Sequence, residues 1–321
     1  MALIDKVDPE SRVPLDAMNE AMPGGFCSIK DLSARRAALD ESLRALAAEL
    51  PVNPHVETRN EVIAGADGEG SLRVRIYRPT DATGSLPGIL FIHGGGMVMG
   101  SLDSEHHTAV GLCDAIRAVV VSVDYRLAPE FPAPAAIEDC YAALLWMHRN
   151  AHQLGFDSDH VALYGGSAGG GLALATALTA RDRDTHVISY VMALYPMIDD
   201  RNETESSHAV VDLGIWDRAG NIEAWAWYLG GLEPTQYSAP ARATDLTGLP
   251  PMFIDIGDCD LFLDETRAFA EGVRRSGGDI EFIEYPGAYH ASEVFAPEAA
   301  LSRTITSRRI AALKAALEVR A

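Results

Sequence analysis

Apolar residues fall in two textures along this chain. From His55 to Ile63 and from Leu72 to Tyr77 they alternate with polar ones about a Gly-Ala-Asp-Gly-Glu-Gly turn. That period predicts a hairpin at the edge of a sheet. Ile89 to Ile92 and Val119 to Val123 are instead continuously apolar. Such runs belong to a sheet covered on both faces. Further strands are expected at His160 to Leu163, Val187 to Tyr195, Met252 to Gly257 and Ile280 to Tyr285. Between them, helical stretches run from Ser104 to Arg117, about Ala135 to Asn150, Leu172 to Ala180 and Asp264 to Ser276, with a last one from about Ala299. Strand and helix in this alternation predict an α/β fold with a mostly parallel, doubly wound central sheet and helices on both faces.

Two segments depart from the rhythm. Residues 1–50 read as a helical prelude, with Asp31 or Ser33 as a cap and Leu39, Leu43, Leu46 and Leu50 on one face. The loop Met22-Pro23-Gly24-Gly25-Phe26 has apolar ends suited to lying over a pocket. Residues 199–251 are polar at first and then carry Trp216, Trp225 and Trp227, with Ile222, Trp225, Ala226 and Leu229 spaced for one helical face. An insertion here sits over the carboxyl ends of the strands, where open sheets bind ligands. The division that follows is a main domain of residues 51–198 and 252–321 under a helical cap made of 1–50 and 199–251. For most of the tryptophans, a place in the core of that cap is the plainer role.

The candidate chemistry starts at Tyr164-Gly165-Gly166-Ser167-Ala168-Gly169-Gly170-Gly171, between a short apolar strand and an Ala/Leu-rich helix. A serine flanked by glycines in a strand–turn–helix context predicts a nucleophile elbow. Gly165 and Gly169 supply positions with almost no side chain, which so sharp a turn demands. Alone, such a cluster reads equally well as a loop. Its companion is His93-Gly94-Gly95-Gly96, directly after the strand ending at Ile92. Glycines there let backbone N–H groups point at a substrate and hold an oxyanion.

Composition narrows the function. Asp and Glu number 46 against 26 Lys and Arg, a formal net charge of −20. A surface so acidic repels phosphate backbones and excludes nucleic acid as an expected partner. Cys27, Cys113, Cys140 and Cys259 lie far apart, as reduced thiols do in a cytosolic protein, and no metal-ligand spacing occurs. Neither a signal peptide nor a run long enough to span a bilayer is evident, so a cytoplasmic location without membrane association is expected. No cofactor is expected, and a homodimer is compatible with the sequence.

Taken together, these motifs resemble the hormone-sensitive-lipase-like branch of the α/β-hydrolase family. The matching pieces are His93-Gly94-Gly95-Gly96, Asp124-Tyr125-Arg126-Leu127-Ala128-Pro129-Glu130, Gly155-Phe156-Asp157 and Gly165-Gly166-Ser167-Ala168-Gly169-Gly170. Gly248-Leu249-Pro250-Pro251, Asp260-Leu261-Phe262-Leu263-Asp264-Glu265 and Tyr289-His290 follow in the family's order. The resemblance implies the α/β-hydrolase fold and a triad in the order serine, acid, histidine: Ser167, Asp260 and His290. From the residues alone Asp258 and Asp264 compete for the acid role, Asp264 as a helix cap. The family pattern aligns with Asp260. The implied oxyanion donors are the N–H groups of Gly95, Gly96 and Ala168, with Gly94 a weaker candidate. His93 is expected to brace its loop, and His106 and His107 to begin a helix. Three departures bear on substrate preference. Gly166 stands where the family carries a polar residue, Leu261 where it carries proline, and Ala291-Ser292 where it carries glycine and an aromatic.

The expected function is a serine carboxylesterase acting on short to medium acyl esters. An amide, formamide or lactone hydrolase would use the same triad. A binding protein on the hydrolase scaffold is the reading from another class.

Overall fold

The computed structural model describes residues 3–48, 52–66, 68, 71–185 and 187–318. Leu50, the side chain of Leu46 and the turn residues Asp67, Glu69 and Gly70 lie outside this set. Eight strands form one sheet. They are β1 (Val56–Ala64), β2 (Ser71–Pro79), β3 (Leu86–Ile92), β4 (Val119–Val123), β5 (Phe156–Gly166), β6 (Tyr190–Leu194), β7 (Met252–Cys259) and β8 (Ile280–Tyr289). Their spatial order is β1-β2-β4-β3-β5-β6-β7-β8. β1 and β2 pair antiparallel at one edge, β2 meets β4 antiparallel, and every other pair is parallel. Texture explains the placement. β1, at the edge, is open to water along most of its length with only Ile63 buried, while every residue of the apolar β3, β4 and β6 is buried.

The helices are α1 (Pro9–Ala21), α2 (Leu32–Ala48), α3 (His106–Ile116), α4 (Ala135–Arg149), α5 (Ala151–Leu154), α6 (Ala168–Asp182), α7 (Glu205–Ala209), α8 (Arg218–Leu229), α9 (Leu263–Arg275), α10 (Ser292–Phe295) and α11 (Ala300–Ala316). They cover both faces of the sheet. α6 packs on β5 and β6, and its residues from Ala168 to Ala180 are all buried, so its alanines and glycines serve close packing. Asp31, rather than Ser33, caps α2: its Oδ1 accepts from the Ala34 amide at 2.8 Å.

The N-terminal helices lie against the 199–251 segment. Asn19 donates to the Leu213 carbonyl at 3.2 Å, and the fully buried Arg35 pairs with Glu223 at 2.6 Å. A side chain at Gly25 would run into the Gly214 carbonyl, so the loop before α2 touches that segment backbone to backbone. The helical face expected at Ile222 and Ala226 is not the buried one. α8 instead buries Asn221, Ala224, Trp225 and Tyr228, and both Ile222 and Ala226 are exposed. Asn221 decides this. It accepts from Trp216 Nε1 at 3.0 Å and donates to Asn202 at 2.5 Å, so its polar groups are satisfied inside.

Candidate active site

Parallel strands deliver their ends to one edge of the sheet, and five neighbours each hand over a residue there. His93 follows β3, Ser167 follows β5, Tyr195 follows β6, Asp260 follows β7 and His290 follows β8. Positions 93, 167, 260 and 290 thus become neighbours although almost two hundred residues separate the first from the last.

Ser167 stands at φ +56° and ψ −121°, a strained conformation for a residue with a side chain. Its neighbours leave no alternative turn. A Cβ on Gly165 would lie 2.3 Å from the Gly169 carbonyl oxygen, and one on Gly169 would lie 2.0 Å from that of Ile92. Only glycine lets strand, turn and helix approach this closely.

Ser167 Oγ lies 3.0 Å from His290 Nε2, and His290 Nδ1 lies 2.8 Å from Asp260 Oδ2. With the carboxylate accepting from Nδ1–H, Nε2 is left to accept the serine proton. The other Asp260 oxygen takes the Phe262 amide at 3.0 Å, which fixes the carboxylate. Asp260 and His290 are buried, and Ser167 is part-exposed. The rival acids have other duties. Asp258 accepts from the Gly287 amide at 2.7 Å, and Asp264 accepts from the Ser206 amide at 2.8 Å, tying α9 to α7.

His93 braces the glycine loop by stacking on Tyr125, with ring centres 4.1 Å apart, and by bonding Nδ1 to the Gly94 carbonyl at 2.8 Å. Burial holds its pKa below the ordinary imidazole value. The amides of Gly95, Gly96 and Ala168 have no acceptor among the described residues. Gly94 differs. Its N–H donates to Glu105 Oε1 at 2.7 Å, so it is not available as an oxyanion donor. Trp216 closes over the loop, and a Cβ on Gly96 would strike its ring at 2.4 Å. From outside, Arg36 of α2 holds the same loop by donating to the Val98 carbonyl at 2.7 Å.

Four residues of the site were not legible from the sequence: Glu105, Tyr195, Glu293 and Arg309. Tyr195 presents its ring edge-on to His290 at 5.0 Å and donates its hydroxyl to Glu293 at 2.6 Å. Arg309 from α11 donates to Glu293 at 2.6 Å and to both oxygens of Asp255 at 2.6 and 2.9 Å. Burial works against the Glu293 carboxylate, yet Arg309 and the tyrosine hydroxyl hold its pKa below the usual range. The departure at Gly166 now has a cause, since a Cβ there would press on the Tyr195 ring and hydroxyl at 3.1 Å. Nearness to His290 in sequence was the only signal for Glu293. The other three meet the site solely through tertiary packing.

Among the described residues no cluster of His, Cys, Asp and Glu has the geometry to hold a metal ion. Nor is any described helix long and apolar enough to cross a membrane.

Comparison with known proteins gives the chain its family. A family profile described as the α/β hydrolase fold matches residues 89–294. Carboxylesterase NlhH of Mycobacterium tuberculosis is 33% identical over 317 residues, covering 97% of this chain and 96% of the relative. A bacterial heroin esterase superposes with TM-score 0.91 at 34% identity over 98% of this chain and 99% of its own. A hyperthermophilic esterase from the archaeon Pyrobaculum calidifontis gives TM-score 0.87 at 31% identity over 96% and 98%. The chain belongs to the α/β-hydrolase fold family, in its hormone-sensitive-lipase-like branch of carboxylic ester hydrolases.

Proposed function

We propose that the protein is a serine carboxylesterase for short to medium acyl esters and that it works through an acyl-enzyme. Ser167 Oγ attacks the ester carbonyl while His290 Nε2 takes its proton and Asp260 stabilises the imidazolium. The amides of Gly95, Gly96 and Ala168 cradle the oxyanion. His290 then protonates the departing alcohol, and water, activated by the same nitrogen, releases the acid and restores the serine. The observation that carries this reading is the continuous hydrogen-bonded chain from Ser167 through His290 to Asp260.

The helices of residues 1–50 and the 199–251 insertion act as a cap that limits acyl length. Support comes from Trp216 over Gly96 and from the bonds between the two segments. Cytoplasmic residence is supported by four buried, unpaired cysteines.

The test is labelling with a fluorophosphonate and hydrolysis of p-nitrophenyl butyrate. The expected outcome is one phosphonylated residue, Ser167, with kcat lowered by about 10⁴ or more in Ser167→Ala. Normal turnover by the alanine variant would overturn the mechanism.

A further inference from the structure

Glu105 poses a problem that the esterase reading leaves unsolved. It sits just before α3, and its Oε1 accepts from the Gly94 amide at 2.7 Å. The point where a Gly94 Cβ would stand lies 3.3 Å from that oxygen and 3.7 Å from Ser167 Cβ. The carboxyl oxygen and Ser167 Cβ therefore lie no more than about 7 Å apart, on either side of Gly94. Glu105, Gly94, Gly95, Gly166 and Ser167 are all part-exposed, whereas the strands and helix that present them are buried. Solvent therefore reaches each of them.

No cation neutralises this carboxyl: Glu105 forms no ion pair among the described residues. Arg309 is committed to Asp255 and Glu293, and Arg75 to Asp103 at 2.8 Å. The groups facing Glu105 from neighbouring elements are Glu293 after β8, the hydroxyls of Tyr125 and Tyr164, and the Gly94 amide. On its own helix stand His106, which bonds the Tyr77 hydroxyl, and His107. Of these, the Gly94 N–H is the group that supports the charged form. Burial, reinforced by the Glu293 charge, pushes the carboxyl up to about 7. A half-buried carboxylate without a counterion is costly, and a ligand cation would remove that cost.

We infer that Glu105 is the counterion for a cationic group on the substrate, so that the esterase prefers esters carrying an ammonium group a few bonds from the scissile carbonyl. The inference rests on the esterase reading and adds a substrate class to it. The Gly94 bond leaves the second carboxylate oxygen to meet the cation. An ammonium group close to the scissile ester then sits beside Glu105 while its carbonyl lies over Ser167.

The experiment compares acetylcholine with its uncharged carbon isostere, 3,3-dimethylbutyl acetate, which has the same bulk. The ratio of their kcat/KM values is expected to exceed roughly tenfold in the wild type at pH 8. It falls toward unity in Glu105→Gln, which keeps an acceptor for Gly94, and survives in Glu105→Asp, which keeps the charge. In the wild type the ratio rises as pH passes upward through about 7, where the carboxyl ionises, and it is flat with pH in Glu105→Gln. A ratio unchanged by Glu105→Gln would overturn the inference. So would hydrolysis of p-nitrophenyl acetate by an enzyme that rejects the choline ester. Calorimetry on Ser167→Ala separates the two readings. Binding of acetylcholine lost on adding Glu105→Gln supports the cation site even if turnover fails, and no preference over the isostere sinks it.

Discussion

Single positions show which glycines are structural necessities. Gly169→Ala would push a Cβ to 2.0 Å from the Ile92 carbonyl, which is backbone and cannot yield. The expected cost is about 3 kcal/mol or more, seen as a lower Tm. Displacing the nucleophile by even 1 Å adds a loss of ~10² in kcat. Gly111, inside α3, meets nothing within 4 Å. Gly111→Ala is therefore expected to stabilise by about 0.4–1 kcal/mol in chemical denaturation. Glu105 carries a pH signature. Its pKa is raised to about 7 by burial, well above the ordinary glutamate value. The folded protein thus holds a proton that the unfolded chain releases, and this stability, full below the unfolded value, drains away as pH rises through about 7. Glu105→Gln is expected to gain Tm relative to the wild type at pH 8 and not at pH 5. Equal shifts at both would show the carboxyl to be solvated. The elbow glycines were legible because their demand is local: strand, turn and helix adjoin in the chain. Glu105 was not, since its meaning depends on a glycine amide eleven residues earlier and on the absence of a cation.

Among the elements, α11 does more than close the fold. Its Arg309 joins Asp255 in β7 to Glu293 beside His290, so the last helix holds the histidine loop. Removing one member of such a buried set leaves uncompensated charge. Arg309→Met is expected to cost about 3–5 kcal/mol at pH 8. Asp255 is already raised to about 6 by burial, against the pull of Arg309. Without Arg309 both carboxylates protonate more readily, so the deficit should shrink as pH falls toward 5. Urea unfolding at the two pH values measures this, and a loss independent of pH would contradict it. Strands and helices of the sheet were readable because each buries a patterned face. α8 was misread for a physical reason. Its inward face includes Asn221, whose cost of burial is cancelled by Trp216 and Asn202, partners that sequence spacing does not show.

Across the whole molecule, net charge and cap make separate demands. With a net charge of −20, a cationic ester is drawn in at long range. Raising ionic strength from about 0.01 M to about 1 M shortens the screening length from roughly 30 Å to roughly 3 Å. kcat/KM for acetylcholine should fall over that range while that for its neutral isostere stays level, and parallel curves would remove the steering argument. If the proposed cap limits acyl length, p-nitrophenyl esters from acetate to palmitate should show activity collapsing for the longest, and undiminished turnover of the palmitate ester would overturn that reading. The sequence by itself determined the sheet and the elbow, because apolar periodicity and glycine sterics act over a few neighbouring residues, and the order of serine, acid and histidine followed from the family that its motifs resemble. Between Asp258 and Asp260 the residues alone left the choice open, the family resemblance pointed to Asp260, and the packed structure sets Asp260 against His290. Tertiary structure alone decided that Gly94 is taken by Glu105 and that Arg309 underpins the histidine loop. Those outcomes depend on which strand ends become neighbours and on which buried charges find partners, and both are set only when distant parts of the chain pack together.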